Sequence, residues 1–296
     1  MNRLEPTTLL DYLNRATEYF RERKIDSPRL NAERLLCGVL GCRRIDLYLQ
    51  FDRPLSSEEV GRYREMIRRR GRGEPLQHIL GTTEFHGREF IVTPDALIPR
   101  PETETLVEKV LLRMERMEKP LVADIGTGSG CIAVTIAAER PDARVIATDI
   151  SEKALALGRK NAEGLGVADR VEFLAGDLIA PLGERRVNLI VSNLPYVSCG
   201  DRDTLSPEVR DWEPEVALFA GDDGLSLISR FVATAPNAVL PDGFVAMEIG
   251  LGQAERVVAL WHTFAPDWAI TVEKDLAGVE RIVIATRPGT RDTGHA

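Results

Sequence analysis

Leu121-Val122-Ala123-Asp124-Ile125-Gly126-Thr127-Gly128-Ser129-Gly130-Cys131-Ile132-Ala133-Val134 reads as an apolar strand, a glycine turn and the opening of an apolar helix that continues through Ala137. Glycines at alternate positions let the backbone approach a ligand closely, and the helix start places its amides beside that ligand. The spacing Gly-x-Gly-x-Gly differs from the Gly-x-Gly-x-x-Gly of dinucleotide folds, and a tight strand-to-helix corner with no ligand calls for the same glycines.

Downstream of this stretch the pattern repeats. Helical segments alternate with the apolar runs Val145 to Asp149, Val171 to Leu174, Val187 to Ser192 and Phe244 to Ile249. Parallel neighbours need helical crossovers, so the alternation predicts an α/β, Rossmann-like, mostly parallel doubly wound sheet. Two last runs, Ile270 to Val272 and Arg281 to Ala285, are close enough in sequence to form an antiparallel C-terminal pair.

Upstream, residues 1–75 read as a small helical domain. Thr7-Thr8 precedes Leu9, Leu10, Leu13, Ala16 and Phe20 at helical spacing; Ser27-Pro28 caps a second helix that ends at Gly41; Ser56-x-x-Glu59 is a capping box for a third; a short helix is expected near Ile45 to Leu49. Residues 76–98 are expected to be a β-hairpin linker, with Ile79-Leu80-Gly81 leading into Thr83 to Val92 and the turn near His86-Gly87. The third domain spans 99–290, with 291–296 a tail that begins to look frayed from Pro288.

Composition bounds the function. The chain has 296 residues, 44% hydrophobic and 28% charged, as in soluble globular proteins. Its apolar runs are too short for a membrane span, and its first residues lack the pattern of a signal peptide, so a cytoplasmic location is expected. Cys37, Cys42, Cys131 and Cys199 form no Cys-x-x-Cys pair, and no His/Cys/carboxylate cluster has metal spacing; reduced thiols and no metal are expected. Residues 1–75 carry 16 Lys+Arg against 12 Asp+Glu, whereas 76–296 carry 22 against 34. An acidic larger half argues against a broad phosphate-binding surface. Arg62, Arg64, Arg68, Arg69, Arg70 and Arg72 concentrate the basic excess; a solvated helix face and a partner-binding patch both fit them.

Chemistry gathers at the predicted strand ends. Asp149 lies nineteen residues past Gly130, where a carboxylate can accept from ribose hydroxyls. Asp177 can reach an adenine amino group, with Leu178 against the ring; either Asp is equally a helix cap. Gly126, Thr127, Gly128, Ser129, Gly130, Asp149, Asp177 and Leu178 would then line one adenosine site. Asn193-Leu194-Pro195-Tyr196 follows the fourth strand. It is either a turn or a holder for a small planar group, with an amide, two carbonyls and an aromatic face. If the Asn193 side-chain oxygen and the Leu194 carbonyl accept both hydrogens of an amide –NH2, its lone pair is aimed at an electrophile without a covalent intermediate. Glu102 and Glu104 are expected to cap a helix or order that pocket, not to act as bases. His78 and His86 are expected to be structural.

The motifs Gly81-x-x-x-Phe85-x-Gly87-x-x-Phe90, Leu97 to Glu104, Asp124 to Gly130, Ser192-Asn193-x-Pro195-Tyr196 and Glu213-Pro214-x-x-Ala217-Leu218 together resemble the bacterial protein-glutamine methyltransferases of peptide chain release factors. These are class I S-adenosylmethionine-dependent methyltransferases, and the likeness extends over nearly the whole chain. It implies S-adenosylmethionine (product S-adenosylhomocysteine) on Gly126 to Gly130, Asp149, Asp177-Leu178 and Asn193. It implies the acceptor glutamine of a Gly-Gly-Gln loop on Asn193, Leu194, Pro195 and Tyr196, with Asn193, Pro195 and Tyr196 catalytic. Residues 1–75 would recognise the protein substrate. Release factors are the implied partners, with no direct nucleic acid, no membrane and a monomeric state. Leu194 departs from the family's Asn-Pro-Pro-Tyr: it keeps the carbonyl but loses proline's fixed φ, which Pro195 partly restores by biasing residue 194 toward extended backbone. Three other readings compete with this one. They are an adenine amino methyltransferase acting on nucleic acid, a non-catalytic cofactor-sensing adaptor, and, with the wrong glycine spacing, a nicotinamide-dependent oxidoreductase.

Overall fold

Alternating buried side chains organise a seven-stranded sheet. The structure is a computed structural model that describes residues 7–287, so the tail 291–296 and the end of the 99–290 segment lie outside the described residues. Strands β3 (Leu121–Ile125), β4 (Arg144–Asp149), β5 (Val171–Ala175), β6 (Val187–Ser192), β7 (Val239–Glu248), β8 (Ala269–Lys274) and β9 (Glu280–Thr286) follow a two-strand hairpin of β1 (Thr82–Phe85) and β2 (Arg88–Ile91). The sheet order is β5-β4-β3-β6-β7-β9-β8, parallel from β5 to β7 and antiparallel where β9 meets β7 and β8. This is the doubly wound sheet with an antiparallel C-terminal pair that the sequence predicts.

Successive residues of one strand face opposite sides. Val122, Leu189, Val191, Phe244, Ala246, Ile282 and Ile284 pack toward α6 (Pro101–Met114) and α7 (Cys131–Glu139), and on the same side Ala162 of α8 (Glu152–Gly164) joins them. Ala123, Ile125, Ile190, Val245, Met247, Val283 and Ala285 pack toward α10 (Ser226–Ala238) and α11 (Ala254–Phe264). Both faces are covered, which is why these strands read as continuous apolar runs.

Backbone clustering gives two compact units. Among the described residues, one runs to Thr82 and takes in Pro207–Trp212; the other comprises Thr83–Ser206 and the residues from Glu213 to Arg287. The first contains α1 (Leu9–Glu22), α2 (Pro28–Leu40), α3 (Arg44–Leu49), α4 (Ser57–Arg70), α5 (Leu76–Leu80) and the short α9 (Pro207–Trp212). Leu9, Leu13, Phe20, Leu35, Leu36, Leu47, Tyr63 and Ile79 form its core. Capping boxes at Thr8/Asp11 and Ser56/Glu59 start α1 and α4.

Several local expectations change. Ser27 precedes α2 in a left-handed conformation with φ 48° and makes no side-chain cap, so Pro28 alone marks that start. Ile79-Leu80 belongs to the helix α5, because Pro75 opens a helical turn and Gly81, at φ 81°, ends it. The hairpin turn does fall at His86-Gly87: both have positive φ, 50° and 70°, as a two-residue turn between twisted strands requires. The basic run is not one uniform face. Arg70 is buried and bonded to Asn31, the Glu74 carbonyl and Glu208 of α9; Arg69 forks onto the Glu74 carboxylate; Arg62, Arg64, Arg68 and Arg72 are exposed.

Candidate active site

Register brings the strand ends level. Ile125 pairs with Thr148 on one side and Ser192 on the other, so Gly126 and Asn193 follow β3 and β6 at the same height, and Asp149 ends β4 beside them. The chain reverses direction across the sheet between β3 and β6, the place where open α/β sheets leave a crevice at their carboxyl edge. A cavity of about 310 Å³ opens there. Gly126, Thr127, Gly128, Ser129, Asp149, Asp177, Leu178 and Asn193, all predicted to bind the cofactor, line it, as do Leu194 and Pro195; the predicted Gly130 does not. Tyr196 does not: its ring lies against Gly250 and its carbonyl accepts from Gln253 Nε2 at 3.0 Å. Glu102 and Glu104 sit in the first turn of α6, also outside the lining.

The glycine turn is held by its own backbone. Gly126 and Thr127 donate to the Thr148 carbonyl, each at 2.9 Å, and Gly130 donates to the Thr127 carbonyl at 2.9 Å. Gly126 and Gly130 have φ of 74° and 81°. A Cβ on Gly130 would come within 3.1 Å of the Gly158 Cα of α8, and one on Gly126 within 3.0 Å of Leu194 Cδ2. Beneath the turn, Asp124 Oδ2 accepts from Thr127 Oγ1 at 2.6 Å and from the Ala133 N–H at 3.1 Å. Asp124 is fully buried and its Oδ1 has no partner. Burial pushes its carboxyl up to about 7, against the pull of those two bonds.

Asp149 accepts from the Gly128 N–H at 2.9 Å and the Ser151 N–H at 2.8 Å. Burial outweighs these bonds and holds its carboxyl above the usual range. Each oxygen keeps a second lone pair for a hydroxyl donor. Asp177 is ion-paired with Arg230 of α10, which also lines the cavity. Leu178 has φ 50°, and its carbonyl accepts from Thr148 Oγ1 at 3.0 Å.

The loop after β6 is held from outside. Asn193 Nδ2 donates to Thr103 Oγ1 of α6 at 3.0 Å, and Thr103 Oγ1 donates to Glu248 Oε2 at 2.7 Å. The Tyr196 hydroxyl donates to Glu248 Oε1 at 3.4 Å. Glu248 ends β7, one residue past the Ser192–Met247 pair, and is 2% exposed. Burial raises its carboxyl above the ordinary range, while the Thr103 bond opposes the shift. Leu194 is buried among Ala123, Ile125, Ile190 and Met247, so the residue that replaces proline has become part of the core. The loop continues by pairing Val197 with Leu218 and Ala220, which brings Pro214, Val216 and Ala217 to the cavity. The Arg100–Glu213 ion pair joins the segment before α6 to the segment that carries Pro214.

Two family models match: the PrmC N-terminal domain over residues 11–81 and the methyltransferase small domain over residues 103–206. The release factor glutamine methyltransferase of Geobacter sulfurreducens is 42% identical over 276 residues, 93% of this chain and 95% of that one. The enzyme of the same name from Nitratidesulfovibrio vulgaris is 42% identical over 282 residues, 95% of each. The chain belongs to the release factor glutamine methyltransferase family. A methyltransferase crystal structure from Pyrococcus furiosus, 18% identical with a TM-score of 0.51 over 69% of this chain and 90% of that one, shares the fold.

In this methyltransferase the site also contains Arg230 and Thr103, with Glu248 bonded behind Thr103, to which sequence reasoning assigned no role. Arg230 gave no signal, because its partner Asp177 lies 53 positions away. Thr103 sits inside the Leu97 to Glu104 motif, where only its acidic neighbours Glu102 and Glu104 were given a role. Glu248 had a readable signal: a carboxylate closing the apolar run Phe244 to Met247 falls at the same edge as Asp149 and Asn193. Among the described residues, no His/Cys/Asp/Glu group is placed to hold a metal, and no helix is long and apolar enough to cross a membrane.

Proposed function

We propose that the chain methylates the side-chain amide nitrogen of the glutamine in the Gly-Gly-Gln loop of peptide chain release factors, using S-adenosylmethionine. The observation that carries this reading is that the glycine turn, Asp149 and the Asn193-Leu194-Pro195 loop line one cavity. The lining fits the cofactor: backbone without Cβ at Gly126 and Gly128, apolar walls from Ile98, Ile150 and Leu178, and the Asp149 carboxylate to accept from ligand hydroxyls. Bound there, S-adenosylmethionine supplies a methyl group on a positively charged sulfur.

The protein's own part is positioning. Asp149 accepts from ribose hydroxyls. Asp177 and Leu178 hold the adenine end, while Thr127 and Ser129 complete the turn around the amino-acid end. Asn193 Oδ1 and the Leu194 carbonyl accept the two N–H groups of the glutamine amide, so its lone pair, normally delocalised into the carbonyl, is directed along the methyl-transfer line. Pro195 walls the acceptor side and Tyr196 anchors the loop through Glu248. The helical unit of α1 to α5 with α9 is the module that recognises the release factor. An adenine amino methyltransferase is not favoured, since relatives 42% identical over nearly the full length carry the release-factor name.

Incubation with purified release factors and methyl-labelled S-adenosylmethionine, followed by peptide mass mapping, tests the reading. One methyl on the Gly-Gly-Gln glutamine is expected. Label on nucleic acid, or on no factor despite cofactor binding, counts against it.

A further inference from the structure

The buried chain Asn193–Thr103–Glu248 has a direction. Glu248 is 2% exposed and accepts at both oxygens, from the Thr103 hydroxyl at Oε2 and from the Tyr196 hydroxyl at Oε1. The Thr103 hydroxyl, 2.7 Å from its Oε2, therefore donates to it, and the single hydroxyl proton is spent. Toward its other neighbour the Thr103 oxygen can only accept. That neighbour is the Asn193 amide at 3.0 Å, which must turn its Nδ2 inward and its Oδ1 away. An asparagine amide is nearly symmetric in shape, so packing alone does not choose between its two ends. Flipped, it would present donors to a substrate –NH2 that offers donors itself.

We propose that Thr103 and Glu248 are positioning residues that set the polarity of the Asn193 amide, so that its oxygen and not its nitrogen meets the acceptor nitrogen. This role rests on the reading above, in which Asn193 holds the glutamine. Glu248, accepting from Thr103, is the end that orders the chain, and Thr103 transmits the order from β7 to the loop after β6. The Tyr196 hydroxyl, at 3.4 Å from Oε1, ties the far end of the same loop to the same carboxylate. One buried group thereby fixes both the position of the loop and the sense of its key hydrogen bond.

Thr103→Val keeps the side-chain shape and deletes the hydroxyl; Thr103→Ser keeps the hydroxyl. With a purified release factor, Thr103→Val is expected to lower kcat about ten- to a hundredfold, with KM and cofactor affinity little changed, while Thr103→Ser recovers most of the rate. In an Asn193→Ala background, Thr103→Val should cost nothing further, because the amide it orients is gone. Parent kcat for Thr103→Val, or the same fold-loss with and without Asn193, overturns the role. Glu248→Gln is the second variant, should Thr103→Val fail to fold. Its amide can donate to Thr103 Oγ1 and reverse the chain, so a loss of kcat at unchanged cofactor affinity is expected, and parent kcat refutes the proposal. Asn193→Ala alone separates the two levels: if it turns over at the parent rate, the acceptor reading itself fails, whereas an inactive Asn193→Ala beside a fully active Thr103→Val removes only the positioning role.

Discussion

The turn after β3 and the loop after β6 stand side by side at one sheet edge, but they are built from different materials. Gly126 to Gly130 is fixed by positive φ, by backbone bonds to Thr148 and by contact with the backbone of Gly158. Asn193 to Tyr196 is fixed by side chains from elsewhere: Thr103 lies 90 positions away and Glu248 lies 52 positions from Tyr196. The first site is a property of a short segment, and the second is a property of the assembled sheet. A backbone-made site is robust to side-chain change but intolerant of any Cβ; a side-chain-made site fails by loss of one hydroxyl or carboxylate.

The largest expected effect that sharpens this contrast lies under the turn. Asp124 has a folded pKa of about 7 against an ordinary 3.8. An acid raised in the fold contributes stability that is full below its unfolded pKa and lost as pH rises through the folded value. The parent should lose up to about 4 kcal/mol of unfolding free energy between about pH 4 and pH 7 from this group. Asp149 and Glu248 shift in the same direction, so the isolating measurement is Asp124→Asn, which keeps acceptors for Thr127 and Ala133. Urea titrations across that range should give a flatter profile for the variant. Identical slopes would mean that the turn is not built over a strained carboxyl.

Next comes the loop after β6. Asn193→Ala should lower kcat on the order of a hundredfold while cofactor affinity stays near the parent's, because its contact matters as the acceptor nitrogen leaves planarity. Rate and calorimetry on the same preparation decide it; a parallel fall in cofactor affinity would erase the division between the two regions.

Asp149→Ala probes the turn side again. Loss of a charged acceptor should weaken S-adenosylmethionine binding by about tenfold or more, with little change in kcat at saturation. Unchanged affinity by calorimetry would remove Asp149 from the cofactor site.

The smallest effect is expected where the two regions touch. Leu194 packs against Gly126, and Leu194→Pro exchanges buried methyl groups for a fixed φ; about 1 kcal/mol of stability should be lost and kcat retained. A collapse of kcat would show that the leucine core contact, not the backbone carbonyl, holds the acceptor loop.

Much of this molecule could be read from its residues. The sheet, its antiparallel end, the Ser56/Glu59 capping box and the His86-Gly87 turn follow from period-two and helical patterns and from residues with special φ. All of these are short-range properties. Ile79-Leu80 was misread because a five-residue helix and a strand leave the same short apolar run, and α2 and α4 decide between them by packing. The basic run of α4 looked uniform because sequence does not reveal which arginine turns inward; burial of Arg70 on Asn31 and Glu208 is a long-range event.

The sequence by itself determined the glycine turn and the carboxylates at the strand ends, since glycine φ and an acidic residue closing an apolar run are encoded where they act. Only the tertiary structure decided the order of the strands, the pairing of Asp177 with Arg230, and the convergence of Thr103, Asn193, Tyr196 and Glu248. The physical reason is distance along the chain. A hydrogen bond between α6 and β6, or a carboxylate desolvated at the end of β7, comes into being only when the sheet closes over it, and a local pattern carries no record of which partner will be there.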